Sequence, residues 1–162
     1  IIDTPGAYPG IGAEERGQGE AIASNLILMS NLKVPIISAV IGEGASGGAL
    51  AIGLSDRILC LKNTWYSVIS PEGCASILFR DSSKADAAAD AMKVTSKDLL
   101  AMGIADKIIN EPNGAAHIDP ISTCLELKRG IIETYNEIKQ TPCEELITKR
   151  MEKYNNIGEW TN

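Results

Sequence analysis

The residue types and spacings that could do chemistry are concentrated in Gly42-Glu43-Gly44-Ala45-Ser46-Gly47-Gly48. An apolar run from Pro35 to Ile41 precedes this segment, and the small-residue stretch Ala49-Leu50-Ala51-Ile52 follows it. The pattern predicts a strand, a tight turn holding all four glycines, and a helix start. Glycine accepts positive φ and, lacking Cβ, lets another group approach the backbone closely. The first N–H groups of a helix have no intrahelical partner and carry partial positive charge. The amides of Gly47 and Gly48 would therefore hold a phosphate, or an oxygen that gains negative charge during a reaction.

Two short motifs overlap in the same segment. Gly42 to Gly47 satisfies G-x-G-x-x-G, but a dinucleotide site wants an acidic residue about 20 positions on, at the end of the next strand. Asp56 comes too early and Leu61 ends that strand without a carboxylate, so this reading fails. Gly44 to Gly48 satisfies G-x-S-x-G, with Ser46 as the nucleophile of a serine hydrolase. His117 is the single histidine, and the order Ser46, Asp106, His117 matches that class. The remaining reading needs no reactive side chain: two backbone amides stabilise an enolate-type oxyanion.

The elements that must position these residues follow from periodicity and punctuation. Ile1-Ile2-Asp3 reads as the end of a buried strand, entered in mid-strand without Met, so the sheet is expected to lack strands. Pro5 to Gly10 is a rigid loop with two prolines and two glycines. Ala13 to Leu32 is a helix with Ile22, Leu26 and Met29 on one face. Asp56–Leu61 and Trp65–Ile69 are strands. Ser70 caps a helix opened by Pro71, with Glu72 in its first turn. Ser83–Met92 is helical, Thr95 or Ser96 caps a short helix stopped by Gly103, and Ile104–Asn110 is a strand. Asp119-Pro120 opens a long helix with Leu125, Ile131, Ile132, Tyr135 and Ile138 as its apolar positions. Thr141-Pro142-Cys143-Glu144 has the capping-box pattern for a last helix to about Tyr154. The alternation defines one α/β domain over 1–162 with late helices.

Composition narrows the function. The chain has 162 residues, 44% hydrophobic and 22% charged, with 4% aromatics and one Phe, so the core is aliphatic. A net charge of −6 argues against nucleic acid or an anionic membrane as partner. No apolar run reaches transmembrane length. Cys60, Cys74, Cys124 and Cys143 are widely spaced, which predicts buried free thiols in a reducing cytoplasm and no metal site.

Longer motifs carry a resemblance. IDTPGAYPG (Ile2–Gly10), GAEERGQ (Gly12–Gln18), GEGASGGALAIG (Gly42–Gly53), YSVISPEGCASIL (Tyr66–Leu78) and IADKIINEPNGAAH (Ile104–His117) together resemble the alpha subunit of the carboxyltransferase component of bacterial acetyl-CoA carboxylase. The resemblance covers the family's C-terminal half. It implies a crotonase-like fold of ββα units, partial, with C-terminal helices. It implies transfer of a carboxyl group from carboxybiotin, on a separate carrier protein, to acetyl-CoA, giving malonyl-CoA for fatty-acid synthesis. The implied partners are a beta subunit, in an α2β2 assembly, and the biotin carboxyl carrier protein. The catalytic amide pair maps onto Gly47 and Gly48, facing the biotin ureido oxygen. Gly6, Ala7, Gly44, Ser46, Ser70, Pro71, Glu72 and Gly73 are the implied substrate-contacting residues. Ala45 stands where that family commonly has glycine. The alternatives are a non-catalytic assembly module of the same fold and, less favoured, the hydrolase built on Ser46.

Overall fold

A computed structural model describes residues 1–158; the last four residues of the predicted domain lie outside the described part. The strands are β1 (Ile2–Thr4), β2 (Ile37–Ala45), β3 (Arg57–Leu61), β4 (Trp65–Ser67) and β5 (Lys107–Ile109). The helices are α1 (Ile11–Glu15), α2 (Gln18–Asn31), α3 (Ser46–Gly53), α4 (Pro71–Leu78), α5 (Ala85–Met92), α6 (Ser96–Ala101), α7 (Pro120–Ile138) and α8 (Cys143–Asn155).

All ladders are parallel, in the order β1-β2-β3-β5. β2 is long enough to pair twice along one side: Ile37–Val40 with β3, then Glu43–Ala45 with β4. Alternate residues of the central strands enter two cores, as side chains on a pleated strand must. Val40, Ile58 and Cys60 meet Ile2, Ala49 and Leu99 on one face. Ala39, Leu59, Leu61 and Ile109 meet Leu127 and Ile131 on the other. Helices α3 and α6 therefore cover one face and α7 the opposite one.

Several predicted boundaries shift, each for a local reason. The helix expected over Ala13–Leu32 divides at Gly17, whose φ of 79° ends α1 and starts α2. Ser70 and Asp119 cap as expected, accepting from the Gly73 and Ser122 amides at 3.2 and 3.0 Å. Thr95 rather than Ser96 caps α6, in a reciprocal box with Asp98, because the Ser96 hydroxyl is buried and donates to the Lys62 carbonyl at 2.6 Å. The Thr141 capping box does not form: Pro142 takes the cap position of α8 and no side chain bonds there. On α7, Ile131 and Ile138 face inward, but Leu125, Ile132 and Tyr135 are exposed. The face of α7 that meets the sheet includes Gly130, where any Cβ would run into Ile109; Leu125, Ile132 and Tyr135 fall about 140–160° round the helix from it, on the outward side. Only Cys60 of the four thiols is buried; Cys74 is half-buried, and Cys124 and Cys143 are exposed, because they lie on outer positions of α7 and α8.

One buried ion pair ties the layers together. Arg150 of α8, with no side-chain exposure, donates Nε to Asp56 Oδ1 at 2.8 Å and Nη2 to Asp56 Oδ2 at 3.0 Å. Its Nη1 donates to the Met29 and Leu32 carbonyls and Nη2 to that of Val34. Asp56 Oδ2 also accepts from the Ile36 amide at 2.7 Å. All five guanidinium N–H groups are thus used. Removing one partner of a buried pair leaves the other charge uncompensated. Asp56→Ala is expected to lower unfolding free energy by about 3–5 kcal/mol, read from urea denaturation followed by circular dichroism; a loss under about 1 kcal/mol would show the pair to be dispensable.

Candidate functional site

The glycine-rich segment is not a single turn. Gly42 and Gly44 belong to β2, and neither has positive φ. They are glycines because the Asp3 carboxylate and the Tyr66 ring occupy the space a Cβ would need. The one residue of the segment with positive φ is Ser46, at 55°. A non-glycine residue in that region costs about 1–2 kcal/mol, and Ser46 bears it as the first residue of α3.

α3 begins without a side-chain cap, since Ala45 offers no hydrogen-bonding group. The amides of Ser46, Gly47 and Gly48 precede the first carbonyl four residues back that the helix could supply. Gly48 lies against the loop after β1: a Cβ there would come within 2.7 Å of the Gly6 carbonyl carbon and 2.8 Å of the Ala7 nitrogen. Gly6 itself sits at φ 126°, held by Thr4 Oγ1, which accepts from the Gly6 amide at 3.2 Å. The β1 loop and the α3 N-terminus therefore meet backbone to backbone. Gly47 is different, for its Cβ position meets only Ile22 Cδ1 at 3.5 Å, an ordinary contact.

Beside this junction is a cavity of about 280 Å³ lined by Ser46, Gly47, Leu50, Tyr66, Ser67, Val68, Leu99 and Ile104. Of the described residues lining it, none is charged. The Ser67 hydroxyl is taken up by Ile69, donating to its carbonyl at 2.8 Å. Burial pushes the Tyr66 phenol up to about 12, with Tyr154 and Cys60 nearby adding to the shift. Cys60, on the same face of the sheet, is pushed by burial up to about 11.

Of the sequence-derived residues, Gly6, Ala7, Ser46, Gly47 and Gly48 are brought together. Gly44 lies beneath the Tyr66 ring, within β2. Ser70, Pro71, Glu72 and Gly73 stand at the start of α4, past Val68 at the cavity's rim, and do not line the cavity. The hydrolase triad is not assembled. Asp106 binds the Ile58 amide at 2.7 Å and pairs with Lys153 at the start of β3. Ile58 is in register with Ser38, so Ser46 lies about 26 Å further along β2 at about 3.3 Å per residue. His117 is exposed, in the loop packed on the face opposite α3. Leu50, Tyr66, Val68, Leu99 and Ile104 are the lining residues that sequence reasoning missed; apolar residues on four separate segments leave no motif.

The parallel sheet with helices on both faces has the crotonase-like fold, which solved structures share. A Pseudomonas malonate decarboxylase hetero-tetramer in complex with coenzyme A has a chain that superimposes with a TM-score of 0.76 at 18% identity, over 93% of this chain and 59% of that one. The transcarboxylase 12S core with hydrolysed methylmalonyl-coenzyme A superimposes at 0.68 and 24% identity, over 87% and 25%. A probable enoyl-CoA hydratase from Mycobacterium smegmatis follows at 0.52 and 20%, over 90% and 58%. The family profile described as acetyl co-enzyme A carboxylase carboxyltransferase-like matches residues 1–158, and the chain belongs to that family. The acetyl-coenzyme A carboxylase carboxyl transferase subunit alpha of Ruthia magnifica is 59% identical over 160 residues, 99% of this chain and 51% of the relative. The chain spans about half the length of the curated relatives it matches. Among the described residues no helix is long and apolar enough to cross a membrane.

Two outcomes follow from the packing. Gly48→Ala is expected to cost about 1–3 kcal/mol by overpacking against Gly6–Ala7, whereas Gly47→Ala is expected not to lower the denaturation midpoint; equal losses in the two would refute this contrast. Tyr66 and Cys60 are acids whose folded pKa values lie above their unfolded ones, 12 against 10 and 11 against 9. Their contribution is complete below pH 9 and is lost as pH rises through 9–12. Urea midpoints should fall over that interval, and less steeply in Tyr66→Phe; a parallel fall in both proteins would remove Tyr66 as a cause.

Proposed function

We propose that this chain is a carboxyltransferase alpha-subunit domain, over 1–162, that serves transfer of a carboxyl group from carboxybiotin on a carrier protein to acetyl-CoA, forming malonyl-CoA for fatty-acid synthesis. The observation that carries this reading is the uncapped start of α3, with Gly48 pressed against Gly6–Ala7 and Gly47 lining an uncharged cavity. Carboxybiotin supplies the activated carboxyl group when its carrier delivers it. As the bond from the urea nitrogen to that carboxyl group breaks, the electron pair stays on the cyclic urea and negative charge develops on its carbonyl oxygen, which suits amide donors.

The chain's own part is electrostatic. The Gly47 and Gly48 N–H groups hold an oxygen as it gains negative charge, and they need no reorganisation because the helix fixes them. Gly6 and Ala7 close the other side of the junction, and Ser46 lies on the rim with its hydroxyl. Glycine at 44 leaves room for the Tyr66 ring over the strand. Ser70, Pro71, Glu72 and Gly73 stand past the rim, where a longer substrate would extend. The partners in this reading are a beta subunit in an α2β2 assembly and the biotin carrier, in the cytoplasm. Exposed Val68 at the rim, and exposed Ile77 and Leu78 at the end of α4, support a protein partner.

A second reading, a non-catalytic assembly module, draws on the same exposed apolar residues and on Ile121 and Leu125 of α7. Carboxyl transfer from malonyl-CoA to biocytin, measured with the chain and a matching beta subunit, separates the two. Removing one oxyanion donor costs about 10²–10³ in turnover. That loss is expected between Ser46→Gly/Gly47→Pro, which lacks one N–H, and Ser46→Gly alone, which controls for proline's restriction of the preceding residue. Equal turnover in the two variants would sink the amide role.

A further inference from the structure

α7 is apolar on two opposite sides. Leu127 and Ile131 pack on the sheet, and Gly130, Thr134 and Ile138 are buried beside them. On the far side Ile121 and Leu125 are 75% and 61% exposed, and Ile132 and Tyr135 each 48%, so a second stripe is open to solvent along the helix. We infer that this outer stripe is a docking seam for an amphipathic helix of another protein, one with a matching apolar repeat and carboxylates that face Lys128 and Lys139. The seam belongs to the helix on the sheet face opposite α3, and the inference does not depend on the amide site.

Spacing gives the shape of the occupant. Ile121, Leu125, Lys128, Ile132, Tyr135 and Lys139 follow one another at intervals of 4, 3, 4, 3 and 4 residues. At about 100° per residue they fall within about 80° of the helix surface, centred opposite Gly130. A stripe confined to that repeat is the narrow seam of two paired helices, whereas a helix packed on a broad core needs about 100° or more. Apolar residues exposed singly need no explanation. Four in one register do.

Charge gives its chemistry. Glu126, Glu133 and Glu137 fall within about 60° of Gly130, away from the seam. Arg129 pairs with Glu126 and Glu133, and Lys107 with Glu133. Among the described residues neither Lys128 nor Lys139 forms an ion pair; Lys139 donates to Asn136 Oδ1 at 2.7 Å and lies 6.0 Å from the centre of the Tyr135 ring. The seam thus holds two cations and no carboxylate. A second copy paired antiparallel would set Ile121 against Tyr135 and Leu125 against Ile132, but Lys128 would then meet its own counterpart. Like charges on facing positions disfavour that pairing, while a partner's carboxylate there fixes the register. An anionic bilayer also offers negative charge, but the chain's net charge of −6 opposes its approach.

The test titrates the chain into two fluorescein-labelled synthetic helices, each about 28 residues or four heptads long, and reads their anisotropy. Both carry leucine on the 3-4 repeat. One has glutamate at the positions that face Lys128 and Lys139 and on the flanks, the other has lysine; the like charges keep each from pairing with itself. The glutamate helix should bind and the lysine helix should not. Leu125→Ala/Ile132→Ala should weaken binding by about tenfold or more, and Lys128→Glu/Lys139→Glu should reverse the preference. All four positions are exposed, so these variants keep the fold. Binding of neither helix, equal binding of both, or an unchanged preference in the charge-reversed variant overturns the inference. So does sedimentation equilibrium that shows a dimer dissolved by Leu125→Ala/Ile132→Ala, which assigns the seam to a second copy. Binding to phosphatidylserine vesicles that is lost in the same variant overturns it in favour of a membrane surface.

Discussion

The buried pair of Arg150 and Asp56 is the constraint on which the rest of the arrangement depends. A guanidinium withdrawn from water is tolerated only if each of its donors is met. Here two go to one carboxylate and the others to carbonyls at the end of α2 and the approach to β2. Met29 lies in the last turn of α2, where helix carbonyls run out of full intrahelical partners, and its carbonyl also accepts from the Leu32 amide; Leu32 and Val34 follow the helix. A single side chain near the end of the sequence thus satisfies the C-terminus of α2, fixes the entry into β2 and neutralises the carboxylate that precedes β3. Tyr154, one turn on, adds to the same seam by accepting from the Ser55 amide at 2.8 Å.

The consequence reaches the site through α2. That helix buries no residue completely. At its C-terminal end Arg150 holds it; along its length Asn25 donates to the Ala51 carbonyl of α3, and Ile22 approaches Gly47. α3 in turn abuts the loop after β1 at Gly48. The amides at the start of α3 are placed by this chain of contacts, not by the glycines alone.

Much of this was legible in the sequence. Each strand was located, and the Ser70-Pro71 and Asp119-Pro120 starts were read correctly, because caps and fixed φ act locally. The glycines were misassigned in kind. A cluster of four suggests positive φ, yet Gly42 and Gly44 exist to admit Asp3 and Tyr66, which lie 39 and 22 residues away in sequence. Close approach between distant segments has no local signature. The same holds for the cavity walls and for Arg150, which reads as one more charge on a polar helix until the fold removes it from water. Leu125 and Ile132 mislead in the opposite sense, since periodicity finds an apolar stripe but cannot say which part of it meets the sheet.

In the proposed reading, holding an oxygen with backbone amides instead of a cationic side chain has a physical logic. A lysine or arginine beside the cavity would demand a counter-charge in the resting state, and the cavity would cease to be neutral. Amides at a helix start carry only partial charge, lose no rotamer freedom on binding and can be shielded by aliphatic walls without a large desolvation cost. Shielding then strengthens the interaction, because charge that develops on the oxygen is poorly screened in a low-dielectric space. The geometry that permits this is strained at one point: Ser46, not one of the neighbouring glycines, takes the left-handed conformation that turns β2 into α3. The strand must run to Ala45 to pair with β4, and the helix must begin at once if its amides are to face Gly6–Ala7. The turn between them is reduced to a single residue, and its cost is the condition for setting the start of α3 beside both the loop after β1 and the apolar walls.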